Sequence, residues 1–131
     1  MFCGLINIRK GINFFLVGLP DSAVKESHQR IKSAFVNSGY KFPRKEVTVN
    51  MAPADIRKEG SAYDLTIAVG ILAASNQIQA DVNEYLIMGE VSLDGSLRPI
   101  KGALPIAIKA KELGYKGFIL PKQNANEVSI I

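Results

Sequence analysis

The side chains best suited to covalent chemistry in this chain are a serine and a lysine. Ser61 follows Gly60 at the mouth of the apolar run "SAYDLTIAVGILAAS", and Lys101 lies in "LRPIKGALP". A serine hydroxyl becomes a nucleophile only when a neighbouring base removes its proton, and a lysine made neutral by burial can be that base. Other chemistries lack their parts. His28 is the only histidine and sits among Glu26, Ser27 and Gln29 in a helical stretch, so a Ser-His-Asp triad or a zinc site would rest on one residue without partners. Cys3 is the only cysteine; it reads as a small apolar strand residue in a reducing compartment. Neither a G-x-x-x-x-G-K-S/T phosphate loop nor a G-x-G-x-x-G turn occurs, so no nucleotide, cofactor or metal is expected on these residues.

The elements that must position Ser61 and Lys101 follow from punctuation and periodicity. "NFFLVGLPD" predicts a strand from Asn13 to Gly18 closed by a turn. Asp21 or Ser22 then caps a helix to about Ser38, with Val24, Ile31, Ala34 and Phe35 on one stripe and Gly39 past its end. "KEVTVNM" alternates as a strand, and "APADIRKEGSAY" is a polar loop. "DLTIAVGILAAS" is apolar around nearly its whole circumference, which predicts the central core helix, opened by hydrogen bonds from its free N–H groups to Ser61 and Asp64.

"YLIMGEVS", a Leu-Asp-Gly turn and a short strand from Leu97 to Pro99 make a hairpin. A helix from Ala103 to Leu113 and a strand in "GFILP" follow, and "NANEVSII" reads as the first turn of a further helix. Strands alternating with helices at these spacings predict an α/β or α+β two-layer domain, one mixed sheet with helices packed on it, filling residues 1–131.

Composition agrees with a single soluble domain: 131 residues, 47% apolar and 21% charged. The most apolar window, Leu65 to Ser75, is far short of the roughly 20 residues that span a bilayer, and no targeting leader is visible. The net charge of +4 comes from 16 basic residues spread along the chain, a mild pointer to an anionic partner.

"EGSAYDLTIAVGILAAS" together with "GEVSLDGSLRPIKGALPIAIKAKELGYKGFILPKQN" resembles the proteolytic domain of Lon in residue type, order and spacing. A closer resemblance, over essentially the whole chain, is to the N-terminal domain of the Mg-chelatase-like AAA+ ATPases of the ComM/YifB family. It is carried by "VGLPDSAVKES", "VTVNMAPADIRKEGSAYDL", "GEVSLDGSLRPIKG" and "LPKQNANE". The fold it implies is the Lon-like two-layer domain shared with a ribosomal-protein domain and the GHMP kinases.

The Lon resemblance also locates a dyad. Lon-like proteases place the serine two residues after the glycine, where this chain has Ala62, and the lysine five residues after a proline, where counting from Pro99 gives Leu104. Both groups are absent in that register. A one-residue gap would restore Ser61 as nucleophile, with Lys101 as its base. Catalytic residues are therefore expected to be none, with Ser61 and Lys101 the alternative pair.

The ComM/YifB resemblance implies an accessory and assembly domain of a cytoplasmic AAA+ motor whose ATPase core begins well after Ile131. ATP and magnesium would belong to that core, the assembly would be a hexamer, and DNA would be the partner. Arg57 and Lys58 in the polar loop, with Arg44 and Lys45, are the expected phosphate contacts. Metal insertion into a porphyrin is the remaining reading and has no ligand cluster behind it.

Overall fold

A computed structural model describes residues 3–11, 13–18, 20–52, 60–79 and 84–129. Its order is β1 (Cys3–Arg9), β2 (Phe14–Val17), α1 (Ser22–Lys25), α2 (Ser27–Asn37), β3 (Glu46–Ala52), α3 (Asp64–Ala74), β4 (Tyr85–Ile87), β5 (Glu90–Val91), β6 (Leu97–Arg98), α4 (Ala103–Glu112), β7 (Gly117–Ile119), a 3-10 turn (Lys122–Asn124) and α5 (Ala125–Val128). The class is α+β, as the sequence predicts. The pairing is finer: in place of one mixed sheet the strands form a three-stranded sheet in the order β1-β3-β2 and two ribbons, β4-β7 and β5-β6.

In the large sheet β1 runs antiparallel to β3 and β2 parallel to it, so the end of β1 and the starts of β2 and β3 lie together. Alternation then sorts the faces. Val47, Val49 and Met51 of β3 are buried, and Ile6, Ile8, Phe14 and Leu16 pack on the same side. Against them lie Val24, Ile31 and Phe35 from α1 and α2, and Ile67, Ala68, Ile71 and Leu72 from α3. Two glycines permit this closeness. A Cβ at Gly70 would stand 2.4 Å from the tip of the Ile6 side chain, so α3 meets β1 closely there and that side chain would have to shift; one at Gly18, where φ is +112°, would stand 2.0 Å from the Met51 carbonyl oxygen, which cannot give way.

The predicted long helix is broken at Glu26 into α1 and α2. Asp21 caps the first piece, accepting the Val24 N–H at 2.8 Å. At the break the Ala23 carbonyl accepts from the Arg30 guanidinium at 2.7 Å. That carbonyl would receive the Ser27 N–H in a continuous helix. The second half of the molecule is fastened to α3 through backbone bonds, Leu65 N–H to the Gly89 carbonyl and Gly89 N–H to the Ala62 carbonyl, at 3.0 and 2.9 Å. No helix among the described residues is long and apolar enough to cross a membrane.

Candidate functional site

The segment Gly60–Asp64 is held from three sides. Gly60, at φ +81°, donates its N–H to Asp21 at 3.0 Å, so the carboxylate that caps α1 also anchors the entry to α3. Ser61 donates its hydroxyl to Glu90 Oε1 on β5 at 2.6 Å, and Glu90 lies 3.9 Å from the Arg98 guanidinium on β6. Asp64 is fully buried and accepts from Arg30 Nε at 2.7 Å, from a second guanidinium nitrogen at 2.8 Å and from the Val91 N–H at 3.1 Å. Tyr63, half-buried beside Asp21, has its phenol pushed above the usual value, first by burial and then by that carboxylate. Hydrogen bonding to Asp64 in turn raises Arg30.

This arrangement differs from the expected cap. Neither the Ser61 hydroxyl nor the Asp64 carboxylate receives an N–H from the first turn of α3, whose opening residue has no side-chain cap. Backbone carbonyls do that work: Asp64 N–H bonds to Ser61 at 3.1 Å and Leu65 N–H to Gly89 at 3.0 Å. The two side chains are thereby free to join α3 to β5 and α2.

The second polar cluster surrounds the predicted base positions. Asn124 is buried and grips the Ile100 peptide on both sides, accepting its N–H at 2.9 Å and donating to its carbonyl at 3.0 Å. The same amide donates to Glu127 Oε1 at 3.3 Å, and Glu127 Oε2 accepts the Leu104 N–H, also at 3.3 Å. Lys101 is exposed in the loop between Ile100 and Gly102; Leu104 is half-buried in the first turn of α4, and Ala62 is half-buried ahead of α3. Among the described residues the Ser61 hydroxyl is bonded to a carboxylate and to no lysine.

Of the expected phosphate contacts, Arg44 and Lys45 are exposed in the bend that leads into β3, whereas Arg57 and Lys58 lie outside the described residues. His28 is stacked on Phe14, with centroids 4.1 Å apart, and lies 5.3 Å from the Phe42 ring. Burial lowers its pKa, with Lys32 adding to the effect. Among the described residues no three carboxylate, imidazole or thiol groups gather as metal ligands do. An open depression of about 570 Å³ lined by Glu84, Leu113, Gly114, Tyr115 and Lys116 contains none of the residues of the two polar clusters.

Sequence reading missed Arg30, Glu90 and Asn124 as site-building residues. Arg30 had a signal: it lies three residues after buried Ser27 and four before buried Ala34, so a cation stands on the buried stripe of α2 and requires a carboxylate. Glu90 and Asn124 had none beyond belonging to the motifs "GEVS" and "LPKQN".

Comparison with known proteins places this geometry in a family. Residues 6–124 match the family model described as "Subunit ChlI of Mg-chelatase". The chain is 46% identical to YifB of Escherichia coli over 96% of its length and 47% identical to the competence protein ComM of Haemophilus influenzae over 90%. It is 30% identical to Lon protease 2 of Bacillus subtilis over 82% of its length. In the first two it covers 25% and 23% of the relative, so it spans about a quarter of those proteins. The four motifs supply the two polar clusters apart from Arg30 and Leu104, and with matches over this much of its length the chain belongs to the Mg-chelatase-like family that includes YifB and ComM.

Proposed function

We propose that this chain is a non-catalytic accessory and assembly domain of a longer Mg-chelatase-like AAA+ ATPase, and that it helps such a motor hold DNA. The observation that carries the non-catalytic part is the environment of Ser61. Its hydroxyl donates to Glu90 at 2.6 Å, and the position that would supply a lysine base holds Leu104. Carboxylates as a class are weaker bases than the amines and imidazoles that activate hydroxyl nucleophiles. A serine so bonded fastens a loop. On this reading ATP and magnesium act in the part of the protein outside this chain, the assembly is a ring of identical subunits, most simply a hexamer, and it works in the cytoplasm. DNA as the partner is supported by the net charge of +4 and by the likeness to a protein named for competence.

The test is incubation of the chain with an unfolded casein, followed by mass spectrometry. No cleavage is expected above a blank, and Ser61→Ala should be indistinguishable from the parent. Cleavage that disappears in Ser61→Ala and in Lys101→Met would instead establish a Lon-type Ser-Lys peptidase, the alternative that the more distant likeness to Lon protease 2 does not favour.

A further inference from the structure

We infer that the outer face of the β1-β3-β2 sheet, with the cation-rich end of its ladder, binds single-stranded nucleic acid. The inference rests on the reading that the domain works with DNA and specifies which form and which surface.

The cations come together by pairing. Arg9 of β1 is the last residue in register with β3, opposite Glu46, and the two form an ion pair at 2.9 Å. One step further Lys10 leaves β1 while Arg44 and Lys45 enter β3, so residues far apart in sequence flank one end of the ladder. Lys41 lies in the same approach to β3. Its peptide is held on both sides by Gln77, with Lys41 N–H donating at 2.8 Å and the Gln77 amide donating back at 2.6 Å. Phe42 anchors the segment in the core, 5.8 Å from Phe35 and 6.1 Å from Phe14.

The charge is concentrated as well as exposed. Setting aside Arg9, Lys10, Lys41, Arg44, Lys45 and Glu46 removes five basic residues and one acidic residue from totals of 16 and 12. Eleven of each sign remain in the rest of the chain, so this end of the sheet carries a local excess of four positive charges.

The face beside it has the other groups that a single strand requires. Outward positions on neighbouring strands align Asn7, Thr48 and Phe15 in one row and Asn50 and Val17 in the next. Phe15 is 45% exposed, although its neighbours Phe14 and Leu16 turn into the core. An exposed ring amid amide and hydroxyl groups on a sheet is a platform for an unstacked base, while cations at the edge take the phosphates. A duplex hides the faces of its bases from such a platform, and a single strand presents them.

The test is fluorescence anisotropy of the chain with a labelled mixed-sequence oligonucleotide, single-stranded or annealed to its complement, across a salt series. The single strand should bind more tightly. Phe15→Ala should weaken it about tenfold and Phe15→Tyr should retain it. Lys10→Glu/Arg44→Glu/Lys45→Glu should flatten the plot of log affinity against log salt by about 2, while Lys109→Glu/Lys111→Glu on α4 leaves it unchanged. Unchanged thermal melts establish that the variants fold. Preference for the duplex, or binding indifferent to Phe15 and to the ladder-end cations, would overturn this inference and leave the DNA reading standing. Retention of neither form at low salt would remove the DNA reading itself.

Discussion

Removing the Asp64 carboxylate is the sharpest test of what holds this domain together. The side chain is 1% exposed and accepts three hydrogen bonds, two from Arg30 and one from the Val91 N–H, thereby joining α3 to α2 and β5. In Asp64→Ala the Arg30 guanidinium, only 18% exposed, loses its counter-charge and a backbone donor loses its acceptor. Breaking one half of a buried ion pair costs about 3–5 kcal/mol. A domain of this size is stable by about 5–15 kcal/mol, so the loss takes a large share. With a urea dependence near 2 kcal/mol per molar, the midpoint should fall by about 2 M in unfolding followed by far-UV circular dichroism. Asp64→Leu combined with Arg30→Met removes both charges and should cost clearly less than the two single changes added. A loss below about 1 kcal/mol in Asp64→Ala, or strict additivity in the double variant, would refute the ion pair as the join.

Two further outcomes follow from the other cluster and from the aromatic stack. Asn124→Ala leaves both polar groups of the Ile100 peptide without their buried partner, at about 1–3 kcal/mol for each, and should raise hydrogen exchange at Ile100 and Leu104 well before the large sheet opens; unchanged exchange there would show that the clamp is idle. Burial holds the folded His28 pKa below its ordinary value of 6.5, so as pH falls the unfolded chain takes up this proton before the folded one does. Its contribution is complete above pH 6.5 and is lost as pH drops through the folded value, so the melting temperature should fall from pH 7.5 to pH 5 by less in His28→Phe than in the parent.

Local signals carried far in this sequence, and pairings carried little. Asp21 as a helix cap, the apolar α3 and the hairpin of β5 and β6 were legible because each depends on neighbours within a few residues. The break at Glu26 was not, since the Ala23 carbonyl there is bonded by Arg30, which is itself tied to Asp64, 34 residues along the chain. The division into three sheets was equally hidden, because alternation shows which residues face inward and not which strand stands alongside. At the candidate site the sequence singles out Ser61 and its loop but not their partner: Glu90 lies 29 residues away and meets Ser61 only through the register of the fold. The basic surface shows the same limit, for Arg44 and Lys45 are neighbours in sequence while Lys10 joins them only across the β1–β3 ladder.

Those long-range bonds also bear on how a chain can be like a peptidase and yet, on the proposed reading, cut no peptide. Gly60 is needed for a backbone at φ +81°, Asp64 for the Arg30 guanidinium, Asn124 for the Ile100 peptide and Glu127 for the first turn of α4. Each of these requirements concerns shape, and each persists whether or not a lysine stands at position 104. On the proposed reading a chain can therefore keep a scaffold that resembles a Lon domain while Ala62 and Leu104 occupy the positions where that resemblance implies the dyad. On that reading likeness across the motifs follows the scaffold, and the loss of chemistry rests on Ala62, Leu104 and the hydrogen bond that ties Ser61 to Glu90.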